Sequence, residues 1–286
     1  MKILVAGAKG QVGTSLLQLG QKLGYDMLGM SSHELDVTSI RNVDAVVSQV
    51  KPDLIINASA YTAVDKAESD LQRAYEINET GPKLLAMACR KLDIPFFHIS
   101  TDYVFDGDSD RSYRVEDPVN PQSVYGRSKS MGELAVRNTL PKHIILRTSW
   151  VFSSTGNNFV KTISKLSAER DELKVVNDQC GGPTSADAIA DVLLSLAEKV
   201  KQDESVPWGL HHFSQQPFVT WFEFAQAIIE TRKELGLHVQ SKLLPCTSDE
   251  YPAVAKRPMN SRMVSSLKSA KSEWKSDLTE CLKKSK

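Results

Sequence analysis

The opening of the chain, MKILVAGAKGQVG, constrains the fold more than any other stretch. Residues 3–6 form an apolar run of buried-strand length, ended by the turn Gly7-Ala8-Lys9-Gly10-Gln11-Val12-Gly13. Val12, Leu16, Leu19 and Leu23 then follow at alternating four- and three-residue steps, the spacing of one helix face. A strand that runs through a glycine turn into a helix is the first half of a βαβ unit. Glycines there allow a tight turn and let backbone amides approach a pyrophosphate at the helix N-terminus, where the helix dipole favours negative charge. Gly7, Lys9, Gly10, Gln11, Val12 and Gly13 are therefore candidate dinucleotide contacts. A glycine string alone is a weak signal, and its position after the first strand is what gives it weight.

The same rhythm continues. Residues 27–30, 54–56, 95–99 and 144–146 read as further strands, with helices over 71–92 (interrupted near Gly81-Pro82) and 125–137. Alternating strands and helices predict an α/β fold, a Rossmann-like doubly wound parallel sheet covered on both faces. After residue 152 the pattern loosens into a helix over 158–168, a short strand over 173–176, a helix over 187–200 and one more strand near 209–213. Thr220 looks like an N-cap, with Glu223 completing a capping box for a helix reaching 235. The expected organisation is a dinucleotide-binding domain over 1–153, with 185–214 returning to it. A smaller, interwoven substrate-binding lobe is expected over 154–184 and 215–286.

Composition narrows the function. The 286 residues hold 35 basic and 35 acidic side chains, so no basic face for nucleic acid is expected. The Lys/Ser-rich stretch 268–286 reads as a solvated tail. Cys89, Cys180, Cys246 and Cys281 lack CxxC spacing, which argues against a disulfide framework and fits a reducing compartment. No charged leader precedes a long apolar stretch, and no uncharged run nears the roughly 20 residues that span a bilayer. A cytosolic protein without membrane or nucleic-acid partners is expected.

The end of the second strand bears on the cofactor. A carboxylate there would bond a ribose 2′-hydroxyl and repel a 2′-phosphate. The chain has Met30-Ser31-Ser32-His33 instead, beside Lys9, which favours NADPH, with NADH as a secondary cofactor. Taken alone, Lys9 fits a solvated loop lysine equally well. Asp36 and Val37 follow at a spacing suited to the adenine, although an acid before a helix also serves as a cap.

Three segments carry the chemistry. Ile99-Ser100-Thr101-Asp102-Tyr103-Val104-Phe105 leaves the fourth strand, Tyr125-Gly126-Arg127-Ser128-Lys129 opens a helix, and Leu146-Arg147-Thr148-Ser149-Trp150 leaves the fifth strand. Ligands of open parallel sheets bind outside the carboxyl ends of strands, so the first and third segments converge on one crevice. Tyr125 and Lys129 share a helix face, and a cation beside a phenol stabilises its phenolate. Such a phenol can protonate a carbonyl oxygen as a hydride reaches its carbon.

Together these segments resemble the extended short-chain dehydrogenase/reductases, in particular those that reduce dTDP-linked 4-keto-6-deoxyhexoses. The resemblance runs along nearly the whole chain through GAKGQVG, NASAYTAVDKAE (57–68), STDYVFDG (100–107), YGRSKSMGE (125–133) and RTSWVF (147–152). It continues in GNNFV (156–160), NDQCGGPT (177–184) and RPMNSR (257–262). It implies Tyr125 as proton donor, Lys129 as its electrostatic partner and a holder of nicotinamide ribose, and Thr101 as the third catalytic hydroxyl. It adds Ala60, Tyr61 and Thr62 to the cofactor contacts, and Asp102, Tyr103, Val104, Trp150, Asn158, Gln179 and Arg257 as sugar-nucleotide contacts. Without the resemblance, Trp150 and Tyr103 read equally as core aromatics and Arg257 as a surface residue. Relatives that carry magnesium at a dimer interface use glutamates where this chain has Ser15, Asp187 and a lysine-rich stretch near Lys284, so no metal is expected. The resemblance leaves a monomer or a homodimer open. Rival readings are a reductase of another nucleotide-linked ketosugar and a non-catalytic regulatory subunit of methionine adenosyltransferase, which is similar to these reductases. A steroid or small-alcohol oxidoreductase is disfavoured by the long second lobe and Arg257.

Overall fold

The computed structural model describes residues 1–251 and 253–284. The first apolar run pleats as β1 (Lys2–Ala6), buried from Ile3 onward, and the glycine turn delivers the chain into α1 (Gln11–Lys22). Gly10 stands at the N-cap of α1 with no side chain to cap it, which leaves the first helical amides without a side-chain acceptor. There follow β2 (Asp26–Met30), α2 (Ile40–Val50), β3 (Leu54–Asn57), α3 (Val64–Ala67), α4 (Leu71–Tyr75), α5 (Gly81–Leu92) and β4 (Phe96–Thr101). Next come α6 (Val124–Thr139), β5 (His143–Thr148), β6 (Val151–Phe152), α7 (Phe159–Glu169), β7 (Glu172–Val176), β8 (Cys180–Gly181) and β9 (Thr184–Ser185). The chain ends with α8 (Ala186–Lys201), β10 (Gly209–His212), β11 (Val219–Thr220), α9 (Trp221–Glu234), β12 (Lys242–Cys246) and α10 (Trp274–Lys284).

Six strands form one parallel sheet in the order β10-β5-β4-β3-β1-β2. The winding reverses at β1, so a crevice opens beyond the carboxyl ends of β1 and β3. Alternate strand residues point to opposite faces. Ile3, Val5, Leu54 and Ile56 meet Val12 and Leu16 of α1 and Ile189 and Leu193 of α8, while Leu4, Ile55 and Phe96 meet α2, α5 and α6. Each such buried aliphatic side chain contributes about 1.5–3 kcal/mol. The parallel sheet covered on both faces agrees with the sequence expectation. After the sheet's first five strands, α8 packs on one face of it and β10 pairs with β5.

A second core lies beside the sheet, where Phe152, Ile163, Phe224 and Ile228 pack against Trp274 and Leu278. Around it, β7 pairs with β12, β8 with β11 and β6 with β9. The capping box is present: Glu223 N–H donates to Thr220 Oγ1 (3.1 Å), and Thr220 N–H donates to Glu223 Oε2 (2.6 Å).

Two expectations need correction. The stretch 268–286 is not a solvated tail. Trp274, Leu278, Cys281 and Leu282 recur at helical spacing, and burying them makes α10 while its lysines face water. Residues 285–286 lie outside the described residues. The interruption near Gly81-Pro82 does not break the helix, because a π-helical turn over Glu76–Thr80 links α4 to α5. Pro82 lacks the N–H that Asn78 O would accept, and the wider turn accommodates this. Among the described residues, no helix is long and apolar enough to cross a membrane.

Candidate active site

The glycine turn is built for close approach. Gly7 sits at φ +79°, and Gly7 N and Ala8 N both donate to Met30 O at 3.0 and 3.1 Å. A Cβ on Gly7 would lie 2.6 Å from Ser59 N, and one on Gly13 would lie 2.2 Å from Gly7 O. Glycine is thus required at both positions, with Gly13 serving the turn from beneath. Above the turn is a cavity of about 630 Å³ lined by Gly7, Lys9, Gly10, Asp36, Val37 and Ala60. His33 of the β2 end and Arg73 of α4 also line it. Arg73 escaped sequence reasoning because it sits on a separate helix and belongs to no motif.

An acid does stand near the β2 end. Glu34 folds back so that its Oε2 accepts from Ser31 N (2.8 Å) and Ser31 Oγ (2.7 Å), which lowers its pKa, with Lys9 and His33 assisting. Asp36 turns onto Thr38, accepting from its amide (3.0 Å) and hydroxyl (2.7 Å), and these bonds hold its carboxyl below the usual range. The N-cap of α2 is Ser39, so Asp36 is not the cap.

A second cavity of about 660 Å³ shares the wall of Gly10, Ala58, Ser59 and Ala60 with the first and runs over the ends of β4 and β5. Thr101, Asp102, Tyr103, Tyr125 and Lys129 line it, as do Gln11, Val12 and Thr62 nearer the turn. The start of α6 lies flush on the β4 exit, since a Cβ on Gly126 would fall 2.1 Å from Tyr103 O. Tyr125 packs edge-on to Tyr103, ring centroids 5.4 Å apart. Burial raises the Tyr125 pKa, Thr101 acts in the opposite sense, and the charge of Asp102 adds to the rise. Thr101 Oγ1 donates to Asp102 Oδ1 (3.0 Å) and accepts from Tyr103 N (3.3 Å), while Ser261 Oγ donates to Asp102 Oδ2. Burial of Asp102 outweighs these bonds and brings its pKa up to about 6.

The hydrogen-bond partners of Lys129 lie on β4. The lysine is 2% exposed, and Nζ donates to Ile99 O (2.6 Å), with His98 Nε2 3.3 Å away. Burial pushes its pKa down to about 8 against the opposing charge of Glu133.

On the far side of the cavity, Trp150 adopts φ +48° and lays its indole over Gly181, where a Cβ would be 2.5 Å from the ring. It stacks on Trp221 with centroids 3.5 Å apart and planes 9° from parallel. Trp221 also lines the cavity and was not foreseen; its signal was an aromatic directly after the Thr220 cap. Asn158 lines it too, donating to Gln11 Oε1 (2.9 Å) and capping α7 through Lys161 N (3.1 Å). Arg257 reaches the cavity held by Asp65 (2.8 Å) and the Tyr103 hydroxyl (3.1 Å).

Four expected contact residues line neither cavity, Gly13 beneath the turn among them. Val104 is fully buried with Phe105, Tyr113 and Met263, because the 3₁₀ turn Asp102–Val104 rotates it inward. Gln179 is bonded to Ser248 Oγ (2.9 Å), and Tyr61 to Asp70 (3.0 Å). At the positions weighed for a metal, Ser15 donates to Asp187 (2.6 Å) and Lys284 lies 3.5 Å from it. Among the described residues, no group of three or more His, Cys, Asp or Glu side chains is placed to hold a metal ion.

Comparison with known proteins agrees with this architecture. A family model, RmlD substrate binding domain, matches residues 1–286. The dTDP-4-dehydrorhamnose reductase of Aggregatibacter actinomycetemcomitans is 44% identical over 262 residues, 91% of this chain and 89% of that protein. A dTDP-4-dehydrorhamnose reductase crystal structure from Clostridium acetobutylicum superposes with a TM-score of 0.92 at 37% identity, covering 99% of both chains. One from Bacillus anthracis str. Ames, in complex with NADP, gives 0.89 at 33% identity, again over 99% of both chains. Matched over residues 1–286 by the family model and 33–44% identical to these three relatives, the chain belongs to the RmlD substrate binding domain family.

Proposed function

We propose that the protein reduces the C4 ketone of dTDP-4-dehydrorhamnose to dTDP-rhamnose with NADPH. The observation that carries this reading is the meeting of the two cavities at Gly10 and Ala58–Ala60, with Tyr125 and Thr101 at the inner end of the second. The crowded, glycine-only turn and the uncapped start of α1 suit a dinucleotide pyrophosphate. Lys9 and Arg73 supply positive charge for a 2′-phosphate, while Glu34 is turned toward Ser31. Bound there, NADPH supplies the hydride.

The protein's own part is placement and proton delivery. Tyr125 donates its phenolic proton to the C4 oxygen as charge develops on it, a role worth ~10²–10⁴-fold in rate. Thr101 lines the cavity beside the phenol, and its donation to Asp102 fixes the direction of that hydroxyl. The Trp150–Trp221 slab gives the sugar nucleotide a flat apolar wall, and Arg257 suits its diphosphate. These remote contacts orient the ketone against the hydride.

The test mixes purified protein, NADPH and dTDP-4-dehydro-6-deoxyglucose with and without a 3,5-epimerase. Epimerase-dependent NADPH oxidation yielding dTDP-rhamnose is expected. Turnover of other nucleotide 4-ketosugars but not this one would replace the substrate. No turnover of any ketosugar, with tight binding to a methionine adenosyltransferase, would replace the enzymatic reading.

A further inference from the structure

Behind Lys129 runs a buried chain of hydrogen bonds that decides which atoms carry protons. Ser59 N donates to Asn57 Oδ1 at 3.0 Å, and Ser59 Oγ donates to the same oxygen at 2.6 Å. A backbone N–H can only donate, so the Asn57 oxygen faces Ser59 and its amide nitrogen faces His98 Nδ1, 3.2 Å away. A neutral imidazole has one N–H and one lone pair. With Asn57 donating, Nδ1 is the acceptor and Nε2 carries the hydrogen. That hydrogen points at Lys129 Nζ, 3.3 Å away. An ammonium has three donors and no acceptor and cannot receive it. An amine can, and it still keeps a donor for Ile99 O at 2.6 Å. An imidazolium would set its Nδ1–H against the Asn57 amide donor.

Asn57 and His98 are fully buried and Lys129 nearly so, so a donor–donor mismatch among them would be costly. The ionisable neighbours are few. On α6 they are Tyr125 and Glu133; on β4, His98 itself; in the 3₁₀ turn that follows β4, Asp102; on β5, Arg147, which grips Glu133 at 2.6 and 2.8 Å; β3 contributes only the neutral Asn57. Glu133 is thus already paired and also accepts from Ser100 (2.6 Å). Burial pushes both His98 and Lys129 toward their neutral forms, the direction the hydrogen-bond count requires.

We infer that His98, locked by Asn57 in the tautomer protonated at Nε2, is a positioning residue that parks Lys129 as an uncharged amine on the Ile99 carbonyl. Binding of the anionic cofactor is then coupled to uptake of a proton by Lys129. The inference rests on the NADPH reading for its second half only. A polyanion bound nearby raises the affinity of an amine for a proton, and the proton comes from solvent. The lysine becomes an ammonium, and gives up its contact with His98 Nε2–H, when the cofactor that needs it is present.

Two measurements test this on the intact protein. Nitrogen-15 NMR of histidine-labelled, cofactor-free protein should show His98 protonated at Nε2 alone. NADPH binding followed by calorimetry at about pH 8.5, in buffers of different ionisation enthalpy, should show uptake on the order of one proton. Asn57→Asp offers a carboxylate oxygen to His98 Nδ1–H, moving the proton to Nδ1 and leaving Nε2 to accept from a charged Lys129. In this variant the uptake should fall to near zero. His98 protonated at Nδ1 or doubly protonated in the wild type overturns the proposal, as does NADPH binding without proton uptake. If Asn57→Asp does not fold, the two wild-type measurements still decide. If NADPH does not bind, the proposed function fails and the tautomer alone decides the role of His98.

Discussion

Tyr125, Thr101 and Asp102 line one cavity, with Thr101 donating to Asp102, and the phenol and the carboxylate each make a prediction. Tyr125→Phe should keep fold and NADPH binding while lowering single-turnover NADPH oxidation by about 10²–10⁴-fold. A variant within a few-fold of wild type would remove Tyr125 as proton donor. Asp102 carries a stability cost, because burial raises its pKa from the ordinary range to about 6. The folded state therefore binds more protons than the unfolded one between roughly pH 4 and 6, and stability falls as pH rises through that window. Asp102→Asn should be more stable than wild type by about 1–3 kcal/mol at pH 7.5, with the gain shrinking towards pH 4.5, as urea denaturation at the two values would show. An equal gain at both values would mean that packing, not charge, is responsible. The motif STDYVF placed Thr101, Asp102 and Tyr103 at the cavity from sequence alone. It could not show that the following 3₁₀ turn hides Val104, because adjacent residues in a motif need not face the same way.

At the scale of elements, the strands of the sheet and helices α1, α5, α6 and α8 were legible from short or regularly spaced apolar runs, whereas α2 was not read. The helix α10 was not read either, since lysine and serine between its apolar residues mask a stripe at positions 274, 278, 281 and 282. Its anchoring is nevertheless firm: Trp274 Nε1 donates to Pro217 O at 2.8 Å, and Asp277 accepts from Gln215 Nε2 at 2.9 Å and from Ser185 Oγ. Trp274→Ala should cost about 3–5 kcal/mol by urea or thermal unfolding. Lys283→Ala, which loses only an exposed ion pair with Glu280, should change stability by less than about 1 kcal/mol. Equal effects would return the segment to the role of a loose tail. The same limit hid Arg73, since α4 meets the glycine turn only in three dimensions.

For the whole molecule, the cofactor should act as a brace across the crevice between β1, β3 and α4. A ligand that binds only the folded state at 100 times its Kd adds about 2.7 kcal/mol, so NADPH should raise the Tm and NADH should do so less at equal concentration. In Lys9→Ala/Arg73→Ala the difference between the two cofactors should shrink by one to two orders of magnitude in Kd, and an unchanged ratio would clear both residues of any part in it. The chain crosses between its two cores more than once, with α8 and β10 completing the sheet only after β6, α7 and β7 have left it. During synthesis, then, β5 remains an open sheet edge while some sixty further residues emerge, a delay of roughly 3–13 s at 5–20 residues per second. An unpaired parallel edge is a template for other chains. The nascent protein is therefore most exposed to aggregation in that interval, when its N-terminal half is otherwise ready to fold.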